Sequence, residues 1–489
     1  MATWKPQPQD LSRVFAEQNP WHTTSEVPDI LAPPIERTLA RLLWQRVLAD
    51  EPRRFQLILG PRRVGKTTVM YQTVRHLLQH GVAPQQIWWL RLDHPLLLRE
   101  NLGDLVRFIV AQSGATPESP SIVLMDELVY SEQWDLWLKT FYDDNWPVKI
   151  VATSSATAAL RDRRHESGVG RWNEQYLTPY LFSEFLDLLS VSPVAATSTQ
   201  GLLPIIAEMS RKAPDLRNAQ ALRDVFLLIG GFPELLTKSD TSGDQRGLLL
   251  NSQQVLRNDA VERAIYKDIP QSFGVDNPMM LERLLYVLAG QATGVLSPTN
   301  LCQELGGLSQ PTFDKYLSYL EKAFLVFTLP NYSGREAAIQ RRGRKLYFVD
   351  GAIRNAALQR GLAPLEDPIE QGMLLENLVA ATAHALATQS GFRLFHWRHK
   401  KDEVDLILDQ PGDPLALEVG RSPSHSRHGL RALIAQHPRF RGHAYLLAPN
   451  MPFLDAGDAP DGIGSASLDL FLLACGQQAT ANLAQRILA

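Results

Sequence analysis

Gly60-Pro61-Arg62-Arg63-Val64-Gly65-Lys66-Thr67 constrains this chain more than any other stretch in it. The octet fits G-x-x-x-x-G-K-[ST]. It stands between an apolar run that ends in glycine, FQLILG, and a helix-like stretch, TTVMYQTVRHLL. The glycines let successive backbone N–H groups turn around an anion, and the helix that follows aims its positive end at the same point. The pattern predicts a strand–loop–helix unit cradling phosphate through Gly60, Pro61, Arg62, Arg63, Val64, Gly65, Lys66, Thr67 and Thr68. Lys66 is suited to the β- and γ-phosphates, and the Thr67 hydroxyl to Mg2+.

A strand–loop–helix start needs further strands. QIWWLRLD (86–93), SIVLMDE (121–127) and VKIVATSS (148–155) read as strands separated by helical stretches, the pattern of a mostly parallel α/β sheet. The second run ends in Asp126-Glu127. Asp126 is read as part of the magnesium shell, and Glu127 as the group that orients or deprotonates water. The third run ends in Thr153-Ser154-Ser155. Ser154 is taken as the residue touching the γ-phosphate, with a plain helix N-cap as the alternative. Arg171 follows the basic Arg161, Arg163 and Arg164. It is read either as a charge stabiliser for transferring phosphate, acting from a neighbouring copy, or as part of a solvated basic surface.

Composition narrows the class. The chain has 489 residues, 45% hydrophobic and 21% charged, with 49 basic against 52 acidic side chains and a net charge of −3. That excludes wholesale disorder and a strongly basic protein that coats nucleic acid. Two cysteines, Cys302 and Cys475, supply neither a disulfide framework nor a zinc pattern. With no signal-like start and no membrane-length apolar run, the expectation is a cytoplasmic protein with no membrane contact. The helical spacing of Ile35, Leu39, Leu42, Leu43 and Val47 predicts a helix before the first strand. The expected segments are an extended arm over 1–34, an α/β core over 35–190, a Ser/Thr/Ala-rich linker, a helical segment over 202–275, a helix–turn–helix with a basic stretch over 276–364, and a second α/β domain over 365–489.

The order GPRRVGKTT, VLMDE, VATSSA, GRWNEQYLTPYLFSEF, IGGFPELL, IYKDI, TFDKYLSYLEKAFLVFTL and KLYFVD resembles a large prokaryotic family. Its members have an AAA-type, STAND-like P-loop ATPase core followed by a C-terminal domain of unknown function 4143. The resemblance covers roughly residues 35 to 450. It implies an ASCE-type sheet, a helical lid, a winged helix, and ATP with Mg2+ as ligands. It also implies that Pro233, in Gly231-Phe232-Pro233, contacts bound nucleotide. The alternative is that Gly230-Gly231 ends a helix that proline then prevents from continuing.

In the helix–turn–helix segment, Phe313, Leu317, Leu320 and Phe324 are assigned to the inner face of the second helix. The outer face, with Asp314, Lys315, Ser318, Glu321 and Lys322, is nearly neutral. Arg335, Arg341, Arg342, Arg344 and Lys345 cluster just beyond it and are the candidate DNA contact, a solvated loop or an internal docking surface being the alternative. Further on, Glu376 on a helix, Asp405 in DEVDLIL and Glu418 in LALEVG resemble the PD-(D/E)XK nuclease core, a second candidate metal site. Gly420 stands where that pattern has its lysine, with Lys400 or Lys401 as candidate substitutes, so strong cleavage is not expected. The leading expectation is an ATPase whose hydrolysis moves the lid and winged helix. A slow nucleotide-dependent switch or DNA-binding regulator, and an ATP-dependent nuclease, are the alternatives. Assembly of several copies is a further expectation.

Overall fold

The computed structural model describes residues 8–49, 51–98, 100–155, 170–191, 194–197, 201–212, 217–237, 245–333 and 343–488. The chain divides into two units, Met1–Leu177 with Leu483–Ala489, and Thr178–Asn482. The lid, helix–turn–helix and C-terminal segments fall together in the second.

The first unit is built on a five-stranded parallel sheet ordered β2-β3-β4-β1-β5, with β1 Phe55–Leu59, β2 Ile87–Arg91, β3 Ser121–Asp126, β4 Val148–Ser154 and β5 Trp172–Tyr176. Every residue of β1 and β3 is buried, as near-continuous apolar runs must be when helices cover both faces. Insertion of β4 between β1 and β3 is the ASCE-type order. It sets the carboxyl ends of β1, β3 and β4 side by side.

The amino-terminal segment is helical rather than extended, over Pro8–Gln18 and Trp21–Thr24. Its side chains close the outer edge of β2. Asn19 Nδ2 donates to the Trp89 carbonyl and Asn19 Oδ1 accepts from the Trp89 N–H. Gln18 Oε1 accepts from Arg91 N–H, and Trp21 Nε1 donates to the Ile87 carbonyl. Residues 87, 89 and 91 alternate along the strand and turn their backbone groups outward, where an edge strand is open to pairing.

The second unit opens with helices Phe182–Leu188, Leu202–Lys212 and Arg217–Ile229. The part of the linker described, 194–197, is tied down, because Gln477 pairs with both backbone groups of Ala196. The helix–turn–helix comprises Pro298–Glu304 and Gln310–Lys322, followed by an antiparallel hairpin of β6 Val326–Pro330 and β7 Arg344–Phe348. Phe313, Leu317 and Leu320 are buried, whereas Phe324 lies past the helix end with φ 56° and is only half-buried.

The C-terminal sheet is mixed, ordered β12-β11-β10-β9-β8, with β8 Arg393–His399, β9 Asp402–Asp409, β10 Leu415–Val419, β11 Ala444–Ala448 and β12 Ile463–Ser467. The long helix Pro368–Ser390 packs on it. One apolar core runs from Phe182 and Phe226 through Phe327 and Tyr347 of the hairpin to Leu406, Leu417 and Phe471. The hairpin is thus joined to the C-terminal sheet by a common core.

Candidate nucleotide site and a buried carboxylate cluster

Gly60 ends β1 and turns the chain where space is shortest. A Cβ there would lie 2.1 Å from the Leu177 carbonyl oxygen, so only glycine fits. The loop then needs left-handed backbone at Arg63 (φ 67°) and Gly65 (φ 90°) before the helix Lys66–Gln79 begins. Lys66 is buried, and its Nζ donates to the carbonyls of Gly60 and Pro61, both at 2.9 Å. Arg62 reaches the Tyr130 hydroxyl at 3.4 Å. Thr68, on the first turn of that helix, is half-buried.

The Thr67 hydroxyl meets the Asp126 carboxylate at 3.0 Å, joining the first turn of the helix to the end of β3. Thr153 Oγ1 donates to Asp126 Oδ1 at 2.6 Å and accepts from the Glu127 N–H at 2.9 Å. Ser155 Oγ donates to Glu127 Oε2 at 2.9 Å. Burial pushes the Asp126 pKa up to about 6. The neighbouring charge of Glu127 adds to this, while Thr153, Thr67 and Lys66 oppose it. Glu127 adopts φ 57°, a left-handed conformation uncommon outside glycine, which aims its side chain away from the line of β3.

The polar groups that hold the acidic pair are thus Thr153 and Ser155, one on each side of the residue chosen from sequence. Ser154 is buried in β4, and its carbonyl accepts from Gly60 N–H. The two-residue period of a strand carries this information, since 153 and 155 share a face and 154 does not.

Arg171 stands elsewhere. Its carbonyl accepts from Phe55 N–H at the amino end of β1, the opposite end from the loop. Its guanidinium grips Asp143 in two bonds of 2.7 and 3.0 Å. Within the chain Arg171 is thus a strand-length from the phosphate loop, with its charge paired to Asp143. Arg161, Arg163 and Arg164 lie outside the described residues.

Residues 52–186 match the AAA domain family, 220–363 a domain of unknown function (DUF8612), and 371–455 a domain of unknown function (DUF4143). The chain joins an AAA domain to a C-terminal DUF4143 domain. An uncharacterised protein of Methanocaldococcus jannaschii is 25% identical over 395 residues, covering 79% of this chain and 80% of its own length. An uncharacterised protein of Haemophilus influenzae is 21% identical over 377 residues, covering 76% and 84%. Among solved structures, the Walker-type ATPase of Pyrococcus abyssi is similar at 15% identity. The match covers 66% of this chain and 96% of that one, with a TM-score of 0.41. The Aeropyrum pernix Orc1 protein in complex with DNA matches at 15% identity, covering 71% and 97%, with a TM-score of 0.32. Among the described residues no helix is long and apolar enough to cross a membrane.

In the second unit, Gly230 ends the helix Arg217–Ile229 with φ 67°. Gly231 passes so close to Tyr180 that a Cβ would lie 2.2 Å from its carbonyl oxygen. Gly231 N–H donates to Asp350 Oδ2 at 2.7 Å, and Pro233 opens the short helix Pro233–Thr237. Both glycines therefore have conformational and packing reasons to be there.

The C-terminal carboxylates do assemble, around a group assigned otherwise from sequence. Lys345 Nζ, from β7, lies 2.8 Å from Glu376 Oε1, 2.7 Å from Glu403 Oε1 and 2.8 Å from Asp405 Oδ1. Its three protons match three acceptors, and its side chain is 2% exposed. This corrects Lys345 as a DNA contact, because a buried ammonium spent on carboxylates cannot meet phosphate. Arg344 pairs with Asp314 at 2.7 Å, and Arg335, Arg341 and Arg342 lie outside the described residues. The Tyr347 hydroxyl adds a bond to Glu376 Oε1 at 2.9 Å, and Asp405 Oδ2 accepts from Val419 N–H.

Glu418 turns to His425 at 3.3 Å, and its other oxygen is buried without a hydrogen-bond partner. Burial first, then the charge of Asp405, pushes the Glu376 pKa up to about 7 and that of Glu418 up to about 8. The bond to Glu418 raises His425. Among the described residues no three acidic, His or Cys side chains are placed to hold a metal ion. The expected second metal site of Glu376, Asp405 and Glu418 is corrected accordingly: an ammonium lies where the carboxylates converge. Lysine is absent at 420 for a steric reason as well, since a Cβ on Gly420 would lie 2.4 Å from that of His425. Lys400 and Lys401 are exposed and take no part.

Glu403 escaped the sequence reading, although it shares a strand face with Asp405, two residues on.

Proposed function

We propose that the AAA domain binds ATP with Mg2+ and hydrolyses it, and that hydrolysis rearranges the helical and hairpin segments that follow. The observation that carries this is the placement of Glu127. It stands at the end of the strand bearing Asp126, is fixed by Ser155 and Thr153 from the adjacent strand, and is held off the strand line by its backbone. A carboxylate so held can take a proton from water as its oxygen attacks the γ-phosphorus and the bond to ADP breaks.

Thr67 and Asp126 form a hard-oxygen donor set suited to Mg2+, and a cation there would offset the burial that raises Asp126. Bound there, Mg2+ would supply charge neutralisation for the nucleotide's phosphates. Lys66, now bonded to two loop carbonyls, would exchange these for phosphate oxygens, and the backbone N–H groups of 60–67 would wrap the β-phosphate. Glycine at 60 keeps that turn open.

Glu127→Gln is the test. The amide keeps the shape and a bond with Ser155 but cannot take a proton. ATP binding should persist while phosphate release falls by about 10²–10⁴-fold. A mutant turning over at the parental rate would place the base elsewhere. DNA association enters only as a stimulus to be measured, by running the same assay with duplex, single-stranded and branched DNA.

A further inference from the structure

A cavity of about 380 Å³ opens in the first unit at the amino ends of β1 and β4. The phosphate loop leaves the other end of β1, and five residues at about 3.3 Å each put roughly 15 Å between the two. Four basic side chains, Arg46, Arg53, Arg54 and Lys149, line the cavity, and among the described residues no carboxylate does. In a chain of net charge −3 this is a local excess that composition does not produce. Among the described residues, Arg46, Arg53 and Arg54 make no ion pair. Asp143, at the end of the neighbouring helix Trp134–Asp143, is taken by Arg171.

Arg53 is built into the wall. Its guanidinium donates to Asn145 Oδ1 at 2.7 Å and to the Trp146 carbonyl at 2.8 Å, and lies 5.4 Å from the centre of the Tyr142 ring. Arg46 spends one donor on the Pro52 carbonyl and Arg54 one on Asn173 Oδ1. Each guanidinium has five N–H donors, so both retain donors for a ligand. Trp146 and Pro147 add apolar lining beside these charges.

We propose that this cavity is a second binding site, for a small phosphate ester carrying a flat apolar group. Four cations in one mouth suit a dianionic phosphate better than a single carboxylate, and guanidinium forks match its oxygens. The cavity exceeds what phosphate alone needs and falls in the range of small organic ligands. Trp146 offers the surface for a flat ring. The site is independent of the phosphate loop and does not rest on ATP hydrolysis.

The probe is adenosine 5′-monophosphate, titrated calorimetrically into the full chain, with adenosine and inorganic phosphate as separate arms. Binding is expected with a Kd below about 1 mM. It should be unchanged in Lys66→Ala and weakened at least about tenfold in Arg46→Glu/Arg54→Glu, with each half-ligand at least about tenfold weaker than the whole. Retained ATP binding by the double variant checks its folding. If that is lost, the exposed single substitution Arg54→Gln takes its place, with a smaller weakening in the same direction. The proposal is overturned by no monophosphate binding up to several millimolar, by affinity that survives both arginine variants, or by binding that disappears in Lys66→Ala. Inorganic phosphate binding as tightly as the monophosphate would overturn the flat-group assignment.

Discussion

Replacing Lys345 by methionine keeps the length of the side chain and removes the cation from among Glu376, Glu403 and Asp405. Breaking a buried ion pair by deleting one partner costs about 3–5 kcal/mol, because the remaining charges are left desolvated and uncompensated. For a unit of roughly 300 residues, unfolding entropy near 2.1 cal/mol/K per residue converts this to a fall of about 5–8 °C in Tm. The loss should depend on pH. Glu376 and Glu418 hold protons up to about 7 and 8, so rising pH adds negative charge around a site that the mutant leaves without its cation. The penalty should therefore grow with pH. Scanning calorimetry of the full chain gives the transition temperatures, and hydrogen exchange over β7 to β9 identifies the transition belonging to the second unit. Adding Glu376→Gln should restore part of the loss, with a coupling of about 0.5–3 kcal/mol. A Lys345→Met protein within about 1 kcal/mol of the parent at pH 8.5 would refute the reasoning, as would a penalty that shrinks with rising pH.

The wild-type second unit should itself lose stability as pH rises from about 4.5 to 8. The raised carboxyls bind protons more tightly folded than unfolded, so stability is present at low pH and lost through the folded values. Thermal scans across that window check the sign, and Glu418→Gln should flatten the slope. Lys66→Ala should abolish detectable MgATP binding, read by calorimetry. Ser155→Ala should leave ATP binding intact and slow phosphate release by about tenfold, since Glu127 loses the hydroxyl that orients it. Wild-type protein should show no Mg2+- or Mn2+-dependent DNA cleavage in a plasmid-nicking assay. Cleavage lost in both Asp405→Ala and Glu418→Ala would mean that Lys345 gives way to a metal ion. Gly420→Lys should lower Tm rather than create activity, because of the clash with His425.

The nucleotide site was legible because its chemistry is local: eight consecutive residues, their flanking strand and helix, and one apolar run ending in two acids. Thr153 and Ser155 follow a parity rule, since the side chains on either side of Ser154 face the acidic pair. Strands β5 and β12 escaped notice for opposite reasons. WNEQY is a polar edge strand, half-exposed, and IGSAS is fully buried but made of small residues with little apolar signal. The amino-terminal segment reads as extended because its period is short: only Leu11, Val14 and Phe15 mark the inner face of Pro8–Gln18, between prolines and glutamines. Lys345 was the hardest. Its arginine-rich neighbours point to a surface patch, and its partners arrive from 31 to 60 residues downstream, so only the fold reveals that it faces inward.

The amino-terminal helices have a consequence for how copies of this protein can meet. An unprotected outer strand is a template on which another chain can continue the sheet, the usual route to strand exchange and fibrils. Here the outward backbone groups of Ile87, Trp89 and Arg91 are already answered by Trp21, Asn19 and Gln18. The chain carries its own stopper, made of side chains instead of a strand, so the sheet of the first unit has a defined last row on that side. Removing residues 8–24 would uncork it, and self-association by sheet extension through β2 is the failure to look for.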